Sequence, residues 1–138
     1  MSTGDAEHVL VVDDNHIFRE ALAQRLRDAG HRVTTAETAE RAFFALRDWS
    51  RPVDWLYTRA CLPGLIDGWI LADEYHDHQR KRAVIIAASE ARESRQGDIV
   101  LKHPSVTTVL DMLRHAIASA RANTAVASAD MTYQRHAA

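Results

Sequence analysis

A positively charged side chain stands where the third apolar run of this sequence ends. Residues 53–58 form a strand-like run that leads directly into Arg59 and then into a Pro-Gly turn. A guanidinium stays protonated at neutral pH and offers no lone pair for attack. Arg59 can therefore attract an anion but cannot accept a group covalently. Two acids, Asp13 and Asp14, end another apolar run in the same way.

Short apolar runs alternate with helical patterns along the chain. Asn15 is a typical N-cap and Gly30 a typical C-cap for the first helix, and apolar residues recur at helical spacing between them. The second helical pattern, over residues 38–49, is predicted to turn Trp49 toward the core. The predicted strands cover residues 8–12, 31–35, 53–58, 83–88 and 99–101, and the final helical pattern follows the last of them.

One segment is short for this plan. Only ten residues, most of them polar, separate Ala88 from Ile99, so the fourth helix is predicted to be shortened or missing. Because strand, helix and parallel strand connect right-handedly, the alternation predicts an α/β, doubly wound sheet with its site beyond the carboxyl ends of the strands. We expect one domain over residues 8–121, a flexible N-terminus over residues 1–7 and a disordered tail over residues 122–138.

The composition argues against several function classes. A net charge of −2 provides no basic surface for nucleic acid or for an anionic membrane. Cys61 is the single cysteine, and no signal peptide or membrane-spanning window is visible, so we expect a cytoplasmic protein. The eight histidines are scattered and no nucleotide-binding or hydrolase motif is present. Neither a cofactor nor an enzymatic activity is predicted.

Four stretches of the sequence together resemble the receiver domain of bacterial response regulators. They are VLVVDDN, the Asp-Trp pair that opens strand three, LPGLIDGW and the lysine after strand five, and the resemblance runs from residue 8 to about residue 120. It implies a flavodoxin-like parallel sheet of five strands in the order 2-1-3-4-5. In that family, two acids after strand one and an aspartate ending strand three hold Mg²⁺, and this aspartate accepts a phosphoryl group from a histidine kinase. A threonine or serine after strand four and a lysine after strand five bind the phosphoryl oxygens.

Only part of that site carries over to this sequence. Asp13 and Asp14 match the acidic pair, and Lys102 matches the lysine. The phosphoacceptor position lies five residues after Asp54, which opens strand three, and is occupied by Arg59. The acceptor is therefore absent, and a metal ion would lose a carboxylate ligand and meet a cation. No metal is expected, and Asp13 and Asp14 are interpreted as remnant ligand positions.

Two further family positions are altered. The threonine or serine position falls on Ala88, or on Ser89 if the alignment shifts by one residue. The aromatic switch position, three residues before Lys102, falls on Ile99. The relay that transmits phosphorylation is therefore predicted to be lost as well.

The leading hypothesis is a stand-alone bacterial pseudo-receiver, a domain of two-component phosphorelay signal transduction that binds a protein without being phosphorylated. The partner would be a histidine kinase, a phosphotransfer protein or a regulator. A homodimer is a further option, because a missing fourth helix would uncover the sheet, and Val84, Ile86, Ile99 and the last helix would then be candidates for the interface.

Arg59 is predicted to bridge Asp13 and Asp14 bidentately in place of the metal ion. Each of these residues also has a simpler explanation. Arg59 could have arisen by drift after loss of function, and the two acids could serve only to stabilise the first helix. Lys102 could be present by chance. Two other functions stay open. One is a working receiver that is phosphorylated on another acid, Asp13 or Asp67, and the other is a flavodoxin-like domain that binds a small molecule.

Overall fold

The computed structural model describes the backbone of residues 6–137 and the side chains of residues 6–124. Within this stretch lie five strands and four helices, and a helix follows every strand except β4. The predicted flexible N-terminus, residues 1–7, lies mostly outside the described residues. The strands are β1 (His8–Val12), β2 (Arg32–Ala36), β3 (Trp55–Arg59), β4 (Ile85–Ala88) and β5 (Ile99–Lys102), and the helices are α1 (His16–Asp28), α2 (Ala39–Leu46), α3 (Gly68–His76) and α4 (Val106–Ala137).

The strands form one parallel sheet in the order β2-β1-β3-β4-β5, which confirms the predicted doubly wound, flavodoxin-like fold. Val12, the last residue of β1, pairs with Thr58 of β3. The residues that follow this pair, Asp13 and Arg59, therefore meet at the carboxyl edge of the sheet. None of the helices in the described part of the chain combines the length and the hydrophobicity that a membrane span requires.

Helices cover both faces of the sheet. Successive side chains of a strand point to opposite faces, so each strand contributes to both cores. In β1, Leu10 and Val12 pack with residues of α2 and α3. Val9 and Val11 pack on the other face with residues of α1 and α4. All four side chains are fully buried, which explains why β1 is a continuous apolar run in the sequence.

Between β4 and β5 the described chain contains no helix, as predicted, and residues 89–98 form bends, turns and irregular backbone. Asp98 fastens the end of this segment with a side chain that is only 3% exposed. Its carboxylate accepts hydrogen bonds from Nε2 of His76 at 2.6 Å, from the backbone N–H of Val84 at 2.9 Å and from the hydroxyl of Ser94 at 3.0 Å. A buried carboxylate with three donors thus holds the segment that stands in for the missing helix.

The sheet stays covered where the helix is missing. Val84 and Ile86 are 0% exposed, packed in one cluster with residues of α3, and the guanidinium of Arg92 lies 4.2 Å from the ring centre of Trp69. The predicted interface through Val84 and Ile86 is therefore wrong, because α3 and the segment above it bury this face. Ile99 is half-buried and packs on the opposite face with residues of α4.

The second helix ends at Leu46, three residues before the predicted end. The side chain of Asp48 accepts hydrogen bonds from the backbone and the hydroxyl of Ser50, a local turn that competes with helix continuation. Trp49 consequently lies outside the helix and is 70% exposed, so its predicted place in the core is wrong.

The last helix continues further than the sequence pattern indicated. Its backbone is helical as far as Ala137, through most of the predicted disordered tail over residues 122–138. Alanine, which is frequent in this segment, has the highest helix propensity, and this accounts for the continuation. The limits of the domain stay a prediction.

Candidate functional site

A cavity of about 210 Å³ opens at the carboxyl edge of the sheet. Asp13 follows β1, Arg59 ends β3 and Ala88 ends β4, and all three line this cavity. The structure thus brings together three of the residues predicted for the site. The rest of the wall includes Asn15, Phe18, Tyr57, His103 and Pro104, which were not predicted as site residues from the sequence.

Arg59 reaches the acidic pair through one nitrogen. Its Nη1 lies 3.4 Å from Oδ1 of Asp14 and 3.8 Å from Oδ1 of Asp13, and it donates a hydrogen bond to Asp14. The guanidinium therefore contacts both acids, but the predicted bidentate geometry is wrong. The side chains of Arg59 and Asp14 are 41% and 44% exposed, so water screens this pair, and it contributes about 0.5 kcal/mol to stability.

Gly68, the last glycine of LPGLIDGW, seats α3 against the end of β3. Its N–H donates to the carbonyl of Ala60 at 3.0 Å, while the Asp67 side chain caps the helix by accepting from the N–H of Ile70 at 2.9 Å. A Cβ at residue 68 would overlap the carbonyl oxygen of Arg59. The absence of a side chain at Gly68 therefore permits the approach that fixes the backbone of Arg59.

Asp13 is the buried member of the acidic pair, at 2% exposure. Its Oδ1 accepts from the backbone N–H of Asn15 at 2.9 Å, and its Oδ2 accepts from the hydroxyl of Tyr57 at 2.8 Å. Burial raises the pKa of Asp13 above its ordinary value, and the hydrogen bonds from Asn15 and Tyr57, followed by the charge of Arg59, oppose that rise. Arg59 thus only partly offsets the cost of a buried carboxylate.

Tyr57 is the main residue of the site that sequence reasoning missed. It lies two residues before Arg59 on β3 and is 1% exposed, and its ring stacks on that of Phe18 with centroids 5.8 Å apart. Burial, followed by the charge and the hydrogen bond of Asp13, raises the pKa of Tyr57 well above its usual range. Alternation along a strand was the available signal, since residues 57 and 59 share a face.

Replacing Arg59 by glutamine is expected to destabilise the protein by about 1 kcal/mol at neutral pH, with no loss below about pH 4. The pKa of Asp13 in the folded protein is already above its ordinary value, and without Arg59 it rises further. The carboxylate in the unfolded chain is the same for both proteins, so the added penalty exists only at pH values where Asp13 is ionised in the folded protein. Urea unfolding at both pH values measures it.

The control for this prediction is Arg51→Gln, which removes an arginine whose ion pair with Asp48 lies at the surface. Arg51 lies 3.6 Å from Asp48, with side chains 70% and 37% exposed. We expect no measurable change at either pH. A loss in Arg59→Gln that is equal at both pH values would show that the charge of Arg59 does not act on Asp13.

The remaining predicted site residues, Asp14, Ser89, Ile99 and Lys102, are not part of the wall of this cavity. Lys102 pairs with Ala88 across the strand ends, but its side chain is exposed and is not part of the cavity wall. Ile99 begins β5, away from the carboxyl edge. Ser89 lines a neighbouring cavity of about 560 Å³, to which Arg59 and Ala88 also contribute.

His103 and Pro104 form the wall where the resemblance predicts the lysine. His103 has a φ of 44°, in the left-handed region that non-glycine residues seldom adopt, and its N–H donates to the carbonyl of Ala88 at 3.0 Å. His103, which separates Lys102 from Pro104 in the sequence, is thus the residue at which the backbone turns toward the cavity.

The residues present do not fit a magnesium site. Mg²⁺ requires oxygen ligands in near-octahedral geometry, and here the acids are Asp13 and Asp14, with Nη1 of Arg59 within 4 Å of both. In the part of the chain that the structure describes, no three His, Cys, Asp or Glu side chains come together as metal ligands. At 4 Å and an effective dielectric constant of 20, two positive unit charges repel each other by about 4 kcal/mol, so the guanidinium would oppose a bound cation.

No protein-family model matches the sequence. The two-component response regulator ORR6 of Oryza sativa subsp. japonica is 36% identical over 85 residues, which cover 60% of this chain and 50% of that protein. The chain therefore spans about half the length of this curated relative.

Solved receiver structures share the fold. The response regulator receiver protein of Sinorhizobium medicae WSM419 has a TM-score of 0.73 at 19% identity, covering 83% of this chain and 97% of that one. The chemotaxis response regulator CheY4 of Vibrio cholerae has a TM-score of 0.68 at 20% identity, covering 80% and 98%. The receiver domain of the hybrid histidine kinase CckA has a TM-score of 0.67 at 22% identity, covering 80% and 98%. The fold of this chain is that of a response-regulator receiver domain, and its similarity to a two-component response regulator supports the same assignment.

Proposed function

We propose that the chain is an atypical receiver domain that acts in two-component signalling through protein–protein interaction, without being phosphorylated. The position of Arg59 carries this proposal. It ends β3, lines the cavity at the carboxyl edge and lies within 4 Å of both acids. A side chain with no nucleophilic lone pair thus stands where the resemblance places the phosphoacceptor.

The charge of Arg59 supports the same proposal, because it stands in for the charge of a metal ion. Phosphoryl transfer to a carboxylate depends on a cation that neutralises the charge on the transferred oxygens. Here the guanidinium of Arg59 provides a positive charge close to Asp13 and Asp14, and this charge does not depend on a bound metal ion. The domain would therefore present one surface permanently, and its partner would recognise that surface alone.

The two acids considered as alternative acceptors already accept hydrogen bonds, Asp13 on both oxygens and Asp67 on Oδ1. Asp13 is 2% exposed and accepts hydrogen bonds on both oxygens, from Asn15 and Tyr57. Asp67 caps α3 through Oδ1 of its side chain, and conversion of this carboxylate to an acyl phosphate would weaken the cap. These contacts favour a receiver without an acceptor over a receiver that uses another acid.

A small-molecule site is the second function considered, and the cavity of about 560 Å³ beside Arg59 is its natural location. The charged residues in its wall balance in number, since two arginines, Arg59 and Arg92, and two acids, Asp67 and Glu90, line it. The cavity therefore shows no preference for anionic or cationic ligands. A thermal-shift screen with nucleotides, flavins and phosphorylated metabolites tests this alternative, and a specific stabilisation would support it.

The partner in this proposal is a histidine kinase, a phosphotransfer protein or a regulator, encountered in the cytoplasm. The domain itself is proposed to have no enzymatic activity, and neither nucleic acid nor a membrane is among its expected partners. Purification from the native cell with this chain as bait identifies the partner, and size-exclusion chromatography with light scattering distinguishes a homodimer from a monomer.

Incubation with acetyl phosphate and Mg²⁺ is expected to leave the intact mass of the protein unchanged. The reason is that residue 59 offers no carboxylate and that Asp13 and Asp67 are engaged in hydrogen bonds. Intact-mass spectrometry reads the result directly.

A receiver domain that retains its acceptor aspartate serves as the positive control and should gain one labile phosphoryl group under the same conditions. The same gain on this chain would refute the proposal. Asp13→Asn and Asp67→Asn would then identify the acceptor.

A further inference from the structure

A buried tyrosine hydroxyl engages the acid that a metal ion would need. The hydroxyl of Tyr57 donates to Oδ2 of Asp13 at 2.8 Å, and the two residues are 1% and 2% exposed. The other oxygen of Asp13 accepts from the N–H of Asn15 at 2.9 Å and lies 3.8 Å from Nη1 of Arg59. Both oxygens of the carboxylate are therefore engaged by the protein itself.

We propose that Tyr57 is a second determinant that keeps the acidic pair from binding a divalent cation, and that it acts independently of the charge of Arg59. The inference rests on the proposed function, because it describes the same pocket as closed to metal. It adds that removing the arginine alone leaves the pocket closed.

The packing of Tyr57 is what makes its hydroxyl a fixed obstacle. The ring belongs to the cluster between the sheet, α1 and α4, and it stacks on Phe18 with centroids 5.8 Å apart. A well-packed core side chain does not change rotamer without cost, so the hydroxyl stays beside Oδ2 of Asp13.

The chemistry of the metal explains why this contact matters. Mg²⁺ coordinates oxygen at about 2.0–2.1 Å and keeps several water molecules, so it needs space as well as charge around Asp13. The hydroxyl of Tyr57 occupies one side of Oδ2, and its hydrogen bond uses a lone pair that a cation would otherwise coordinate. Hydrogen bonds to a charged acceptor are among the stronger ones, so their loss on metal binding lowers affinity noticeably.

The test is Mg²⁺ titration by isothermal calorimetry on the wild type, Arg59→Asp, Tyr57→Phe and the double variant of the full chain. We expect weak or no binding by Arg59→Asp. The double variant should bind on the order of tenfold more tightly, because one charge-assisted hydrogen bond no longer competes. Circular dichroism and thermal melts establish that each variant is folded, and Tyr57→Leu replaces Tyr57→Phe if the latter does not fold.

Tyr75→Phe in the Arg59→Asp background is the matched control. Tyr75 is also 1% exposed, but its hydroxyl donates to the carbonyl of Asp54 at 2.6 Å, away from the cavity. We expect this control to bind Mg²⁺ no better than Arg59→Asp.

Three results would overturn the inference: equal affinity of Arg59→Asp and the double variant, no binding by a folded double variant, or equal tightening by the Tyr75 control. The proposed function fails separately, through Mg²⁺ binding or phosphorylation of the wild-type chain.

Discussion

Gly68→Ala is expected to destabilise the domain by about 3 kcal/mol, because the new methyl group has no space. It would overlap the carbonyl oxygen of Arg59 and lie 2.8 Å from the carbonyl carbon of that residue and 3.0 Å from Cα of Ala60. All of these atoms are backbone, so either α3 or the end of β3 must move. Urea unfolding followed by tryptophan fluorescence measures the change.

Gly30→Ala separates this clash from the ordinary cost of replacing a glycine. Gly30 has a φ of 93°, in the left-handed region, but nothing lies within 4 Å of an added Cβ. We expect about 1 kcal/mol for it, from backbone conformation alone. Equal losses in the two variants would show that the close approach of Gly68 to Arg59 is absent.

The second large effect is expected for Asp98→Ala, at about 3 kcal/mol. The substitution leaves the N–H of Val84, the hydroxyl of Ser94 and Nε2 of His76 without their shared acceptor in a buried place. Urea unfolding gives the stability loss. Hydrogen exchange at the amide of Val84 gives a local readout, since this N–H loses its acceptor.

Asp73→Ala is the matched control for Asp98→Ala. Asp73 lies on α3 and accepts a hydrogen bond from the side chain of Gln96, but this contact is exposed. Its removal should cost about 0.5 kcal/mol or less. If Asp98→Ala costs no more than this control, the segment over residues 89–98 is not held by the buried carboxylate.

The effect at Asp98 bears on how the domain is built without a helix between β4 and β5. Asp98 fixes one end of the segment over residues 89–98, and the stacking of Arg92 on Trp69 holds its middle. The segment borders the cavity of about 560 Å³, which Arg59 also lines. Its anchors therefore shape the surface beside Arg59 that a partner would meet.

The fold was predictable from the sequence because its information is local. β1 matches its predicted bounds, His8–Val12, since an apolar run buried on both faces has no amphipathic alternative. The missing helix was predictable from the ten residues between Ala88 and Ile99, which leave too little chain. Arg59 at the end of β3 followed from its distance to the start of that strand.

The contacts of the site were less predictable, because they join residues that are distant in the sequence. A tyrosine in a buried strand, such as Tyr57, is expected to pack in the core. The neighbouring sequence does not show that its hydroxyl contacts Asp13, which is 44 positions away. Lys102 matched a family position, yet the turn at His103 places other residues in the cavity wall. The error at Trp49 arose from extending a helical pattern through a local turn.

We propose that the guanidinium of Arg59, within 4 Å of both acids, leaves this domain unresponsive to Mg²⁺ and to a phosphoryl donor. The most direct measurement is the amide NMR spectrum of the isotope-labelled protein, recorded before and after addition of Mg²⁺ and acetyl phosphate. We expect the amide signals of Asp13, Asp14, Arg59 and Ala88 to keep their positions. Displacement of those signals, reversed as the donor is consumed, would show that the cavity still responds to Mg²⁺ or to phosphorylation.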